Sequence, residues 1–137
     1  MSAVRNTAIL WVLACAAAIQ SAHAQPVGVQ RTDLQRHDLS LPGWETVQAR
    51  VDIDPGKVAP SHRHPGEEII YVLEGTLEYR LQGQPPRTLG QGDVLFVPAG
   101  VIHSAKNIGS RNAAELGTYV VPKGKPLVEV VADGASP

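Results

Sequence analysis

From Val47 onward this chain sustains no single pattern for long. Runs of strict apolar–polar alternation follow one another, each ending within about ten residues at a glycine or proline turn. Val47, Ala49, Val51 and Ile53 alternate with Gln48, Arg50 and Asp52. Side chains that change face at every residue belong to a half-buried strand, and Asp54-Pro55-Gly56 stops it with strong turn chemistry. His62 to Pro65 reads as a short extended piece and Glu67 to Leu73 as a rich strand former, closed by a hairpin turn at Glu74-Gly75. Leu77, Tyr79 and Leu81 alternate with Glu78, Arg80 and Gln82; a turn at Gly83 to Pro86 leads to a brief strand at Arg87 to Leu89. After Gly90 to Asp93 come a buried apolar strand at Val94 to Val97, a bend at Pro98-Ala99-Gly100, and a strand from Ile102 to Asn107. Ala114, Leu116, Thr118 and Val120 form the next alternation, and Leu127 to Val131 adds a last strand. Upstream, Arg31 to Leu39 reads as an edge strand or an irregular arm before the turn at Leu41-Pro42-Gly43. No apolar period near 3.6 is sustained after the first 24 residues, so the expectation is all-β, a barrel or a double-sheet sandwich.

Those first 24 residues look like an export leader. Arg5 supplies a positive n-region, Ala8 to Ile19 an apolar core of 12 residues, and Ala22-His23-Ala24 a small-x-small cleavage site. The apolar run is shorter than the roughly 20 residues a membrane span needs. Cleavage after Ala24 makes the protein periplasmic or secreted; the alternative is a lipoprotein cut at Cys15, the only cysteine. The organisation expected is a leader over 1–24, an N-terminal arm over 25–46, a barrel over 47–131 and a tail over 132–137. With 12 basic and 13 acidic residues and no basic block, nothing favours nucleic acid or an anionic membrane as partner.

Chemistry concentrates in two stretches. His62 and His64 stand two apart, which in an extended segment puts both rings on one face, as a chelate requires. Glu68 keeps that parity and Glu67 does not, although the Pro65-Gly66 bend weakens the distinction. His103 must arrive from another strand. Imidazoles with a carboxylate are the makings of a metal site. His37, by contrast, reads as an ordinary surface histidine.

Both stretches resemble the two signature motifs of the cupin superfamily. The first, G-x5-H-x-H-x3,4-E-x6-G, reads here as Gly56, His62, His64, Glu68 and Gly75. The second, G-x5-P-x-G-x2-H-x3-N, reads as Gly92, Pro98, Gly100, His103 and Asn107, with 16 residues between the two motifs. The six-residue interval to Gly75 selects Glu68 over Glu67. The resemblance implies a single-domain jelly-roll β-barrel holding one divalent ion on His62, His64, Glu68 and His103. It gives Asn107 a structural role and implies a homodimer, for which Arg31 to Leu39 is the expected segment.

Four protein ligands on an ion that prefers about six leave positions open for a small oxygen-bearing molecule. Mn, Fe, Ni, Cu and Zn all suit such a set. The resemblance favours a dioxygenase-like enzyme; a non-redox isomerase or lyase, and a non-catalytic metal- or ligand-binding barrel, are the alternatives. A general base beyond the ligands is not evident, with Tyr71, Tyr79 and Glu78 the nearby candidates.

Overall fold

Ten strands and, among the described residues, no α-helix make up the computed structural model, which describes residues 25–131. The leader read over 1–24, with Cys15, and the tail over 132–137 lie outside the described residues. The strands are β1 (Val29–Asp38), β2 (Trp44–Ile53), β3 (Val58–Arg63), β4 (Glu67–Glu74), β5 (Thr76–Leu81), β6 (Arg87–Gly90), β7 (Val94–Val97), β8 (His103–Asn107), β9 (Ala113–Pro122) and β10 (Glu129–Val130). They form two five-stranded antiparallel sheets, in the orders β1-β2-β9-β4-β7 and β10-β3-β8-β5-β6. This is the all-β double-sheet architecture expected from the turn-punctuated alternation, and the jelly-roll barrel that the resemblance implied. The described residues contain no helix long and apolar enough to cross a membrane.

The inward faces follow the period of two. Val47, Ala49, Val51 and Ile53 of β2 are buried, as are Ile70 and Val72 of β4 and Leu77, Tyr79 and Leu81 of β5. Each fully buried aliphatic side chain contributes about 1.5–3 kcal/mol relative to exposure. On β9 the alternation read from Ala114, Leu116, Thr118 and Val120 marks the wrong face. The inward set is Ala113, Glu115, Gly117, Tyr119 and Val121, all buried, while Leu116, Thr118 and Val120 are only half-buried. Shifting by one residue exchanges the faces of a strand, and here the inner face carries polar and small residues.

β1 pairs with β2 from Val29↔Ile53 to Asp38↔Glu45, with an irregularity between Asp33 and Gln35, so Arg31 to Leu39 lies on its own chain's sheet as an edge. His37 is exposed on it.

Backbone bonds stitch the two motif stretches together. The amide of Gly56 donates to Asn107 O (3.1 Å), that of Asn107 to Lys57 O (3.0 Å), and that of Gly100 to His64 O (2.9 Å). Gly100 turns at φ 75°, a left-handed conformation that costs glycine nothing. Asn107 is fully buried: its Nδ2 donates to Ile53 O (2.7 Å) and Arg111 O (2.8 Å), and its Oδ1 accepts from Gly109 N (2.8 Å). Its place is structural, as a clamp between loops.

Candidate metal centre

β3 and β8 are antiparallel neighbours, and their register sets His62 directly against His103. His64 follows just past the end of β3, so the three rings converge, with centroids 4.2 to 5.1 Å apart. One nitrogen from each lies within 4.8 Å of the others, close enough to hold a metal ion. Glu68 joins them differently from the way parity suggested. Between His64 and Glu67 the chain crosses at Pro65-Gly66 from one sheet to the other, and Glu68 points inward from β4 across the barrel. A Cβ on Gly66 would meet the carbonyl oxygen of Val120, so the crossing passes hard against β9.

The protonation pattern follows from the partners. Each histidine sets Nδ1 on a backbone carbonyl: His62 on Pro60 (2.7 Å), His64 on Leu127 (2.7 Å) and His103 on Val101 (3.0 Å). A carbonyl only accepts, so Nδ1 carries a proton and each ring turns its Nε2 to the centre. Burial first, and the imidazoles of His103 and His64 next, push His62 down to about 4, which keeps it neutral. Glu68 Oε2 lies 3.2 Å from His64 Nε2 and 3.1 Å from His103 Nε2. Burial alone would raise the Glu68 carboxyl; the imidazoles of His103 and His64 outweigh it and hold the group well below the carboxylate range. Yet Glu68 Oε2 and His64 Nε2 are both buried without a geometrically sound hydrogen bond. Ligand atoms about 2.1 Å from a shared ion and at right angles to each other stand about 3 Å apart. Glu68 Oε2 lying near 3 Å from two Nε2 atoms has the spacing of a cation-binding set, and His62, His64 and His103 with Glu68 suit a divalent transition metal.

Two further groups face this centre from β9. The ring of Tyr119 packs edge-on against His64, centroids 4.8 Å apart. A Cβ on Gly117 would lie 2.7 Å from the Tyr119 hydroxyl and 2.9 Å from Glu68 Oε1, so Gly117 makes the room in which both sit. Burial, then the charge of Glu68, raises Tyr119 well above its ordinary value. Glu115, two inward positions before Tyr119, is buried with Oε2 unpartnered among the described residues; burial, then the charge of Glu68, raises its carboxyl well above the usual range. Hydropathy missed both because it assigned β9 to the opposite face. Of the side chains considered from sequence, Tyr71 is exposed on the outer surface and Glu78 pairs with Arg80 (3.0 Å). Tyr79 does point inward, buried in the main apolar cluster with its hydroxyl unpartnered.

A groove of about 460 Å³ opens at the rim beside His64, between Arg63, Pro65, Ala99, Gly100, Lys125 and Glu129.

Known proteins resemble this chain in sequence and in fold. Over 51 residues the chain is 45% identical to the dimethylsulfoniopropionate lyase DddQ of Ruegeria pomeroyi, covering 37% of this chain and 25% of that one. The crystal structure of that lyase superposes with a TM-score of 0.59 at 28% identity, over 66% of this chain and 45% of the lyase chain. Germin-like protein subfamily 2 member 1 of Arabidopsis thaliana is 33% identical over 89 residues, 59% of this chain and 41% of its own. An oxalate oxidase in complex with the substrate analogue glycolate superposes with a TM-score of 0.63 at 25% identity, covering 79% of this chain and 57% of that one. The chain thus spans about a quarter to two fifths of these curated relatives. The family model of the cupin domain matches residues 49–122, a stretch that holds both motifs and all four convergent side chains, and the chain belongs to the cupin family.

Proposed function

We propose that this protein holds one divalent transition metal (Mn, Fe, Ni, Cu or Zn) on His62, His64, His103 and Glu68, and uses the ion's open positions to bind and transform a small oxygen-bearing molecule. One observation carries this reading. Three imidazoles, each held at Nδ1 by a backbone carbonyl, converge beside a buried carboxylate, a set of donor atoms that suits a divalent cation. When bound, the ion supplies a Lewis acid that polarises a ligand oxygen and, if redox-active, a site for electron transfer. The chain supplies the walls: Tyr119 on the flank of His64, and Gly117 leaving space for the carboxylate.

Of the reaction classes, oxygenase chemistry rests on the ligand set and on the resemblance. Non-redox lyase or isomerase chemistry has an added observation in its favour. Tyr119 packs on His64, and Glu115 is buried with Oε2 unpartnered among the described residues; burial and the charge of Glu68 shift both toward their protonated forms, and a reaction that moves a proton needs such groups. A lyase among the relatives fits that class. A barrel that binds without turnover is the remaining reading, and the inward Glu115 and Tyr119 weigh against it. Export by the 1–24 leader and homodimerisation along the open edge of β1 belong to the same proposal. N-terminal sequencing and light scattering of protein from its native host test them.

The deciding experiment is elemental analysis of natively purified protein, followed by oxygen uptake with catechols, flavonols and β-diketones and by product analysis with small carboxylates. Stoichiometric iron or copper with uptake supports the oxygenase; manganese, nickel or zinc with elimination or isomerisation products supports proton transfer. A metal-loaded protein inert toward all of them supports binding alone. Absence of stoichiometric metal, or unchanged metal content in His62→Ala, refutes the ligand assignment.

A further inference from the structure

β1 brings a charge to the flank of the metal centre. Arg31 stands opposite Val51 of β2, a residue buried in the core, and Val29, two positions earlier on β1, packs against that core. Alternation therefore turns Arg31 to the inner side of the sheet. Its Cζ lies 5.4 Å from the centroid of the Tyr119 ring, and that ring is itself buried against His64. The Tyr119 ring thus contacts both Arg31 and His64. The guanidinium is oriented by one bond, Nε donating to Asp33 Oδ1 at 2.8 Å. Among the described residues neither terminal nitrogen meets an acceptor, although the side chain is only 21% exposed. The other cations near the rim are placed differently. Arg63 spends its fork on Glu129 (3.0 and 2.7 Å), and Lys125 stands exposed on the loop after β9.

A guanidinium largely withdrawn from water, fixed through Nε and with its two-nitrogen edge free, is a receptor for a planar anion. The Tyr119 face favours the cation and keeps it in place. We propose that Arg31 binds the carboxylate of a ligand whose other end is taken by the metal. The substrate class is then a small carboxylic acid with metal-binding oxygens a few bonds from its carboxylate, and Arg31 is the residue that selects it. The inference rests on the metal reading above and adds the chemistry of the substrate's far end.

Two hydroxamates separate the contributions, because both chelate a metal through the same two oxygens. Acetohydroxamate is the uncharged probe; succinic acid monohydroxamate carries the same head and a distal carboxylate. Each is titrated against cobalt-loaded protein, with the visible ligand-field band as readout. Wild type binds the carboxylated probe tighter by roughly tenfold or more, as a charge-assisted pair in a sheltered site provides. Arg31→Met abolishes that preference and leaves acetohydroxamate within about twofold of wild type. Arg31→Lys keeps part of it, since an ammonium offers charge without the fork. Asp33→Asn removes the carboxylate that orients Nε and lowers the preference to an intermediate value, which carries the test should Arg31→Met fold poorly. Equal loss for both probes, or an undiminished preference in Arg31→Met and Asp33→Asn, overturns the proposal. Failure to take up cobalt is seen before any probe is added; it refutes the metal reading and this inference with it, whereas cobalt uptake without discrimination refutes this inference alone.

Discussion

Replacing Gly117 by alanine tests the ligand geometry at the one place where a single methyl group reaches it. The added Cβ would lie 2.9 Å from Glu68 Oε1 and 2.7 Å from the Tyr119 hydroxyl, whereas ordinary contact begins at 3.4 Å. The carboxylate must therefore retreat about 0.5 Å and the hydroxyl about 0.7 Å. Metal–ligand distances hold within about 0.2 Å, so the retreat needed of Glu68 exceeds what an intact site tolerates. The expected cost is 10- to 100-fold in metal affinity, comparable to losing a supporting contact of a metal ligand, measured by competition with a chromogenic chelator. Overpacking adds about 1–3 kcal/mol of lost stability, offset by about 0.4–1 kcal/mol from the less flexible unfolded chain. Melting with chelator present should then show a net fall of several degrees. With metal added the gap to wild type should widen, because the variant gains less from the ion. Gly90→Ala, where the nearest atom is at 3.9 Å, is the neutral control. Combining Gly117→Ala with Tyr119→Phe relieves the hydroxyl clash and should restore stability but not affinity. A Gly117→Ala protein that binds metal like wild type would refute the role of Glu68 as a ligand.

Asn107→Ala removes three hydrogen bonds from a fully buried position and strands the Ile53 and Arg111 carbonyls. It should destabilise by roughly 2–4 kcal/mol while leaving metal affinity in the folded protein within a few-fold, and equal losses in both would make Asn107 part of the site. In chelator, stability should fall as pH drops from 6.5 toward 4. There the unfolded chain takes up a proton at His62 that the folded chain refuses, an effect of at most about 3 kcal/mol. A His62→Gln variant without that acid slope, compared by denaturant titration, checks the assignment. Glu115 acts in the opposite sense. With its carboxyl raised in the folded state, its stability contribution is full below about 4.5 and is lost as pH rises. Glu115→Gln should therefore gain stability relative to wild type at pH 8 and not at pH 4, and an identical difference at both would mean that Glu115 is not held neutral.

The motif stretches were legible because their residue types are dictated by backbone and metal together. Gly100 needs its left-handed φ where its amide reaches His64 O, and the His-x-His pair needs the spacing that sets His62 against His103. β2 and β5 were legible because their inward faces are apolar. β9 was not, for a physical reason: hydropathy finds the inner face only where that face is oily. At the metal centre the inner positions are Glu115, Gly117 and Tyr119, while the outer face carries Leu116 and Val120. A residue-by-residue pattern cannot show that Gly117 is empty to make room for Glu68, because the neighbour lies 49 positions away in sequence and on the adjacent strand. Arg31 was hidden likewise, since its meaning depends on β1 docking beside β2.

These two strands, whose inner faces hydropathy did not reveal, bear on what the protein does. On the proposed reading the motif residues supply the ion's ligands, and a shared ligand set does not choose a reaction. Selection must come from the side chains around the open positions. In this barrel those include the buried Glu115, Tyr119 and the largely sheltered Arg31, on strands that lie outside both motifs. Arg31 and Glu115 both act on Tyr119, in opposite directions: the cation favours its ionised form, and Glu115, when charged, opposes it. A bound carboxylate that neutralises Arg31 would remove one group that eases Tyr119 toward ionisation, a bound divalent ion being another. Ligand binding at Arg31 and proton retention at Tyr119 are then coupled: the seated carboxylate makes Tyr119 the weaker acid and favours it as a neutral hydrogen-bond donor to the ligand.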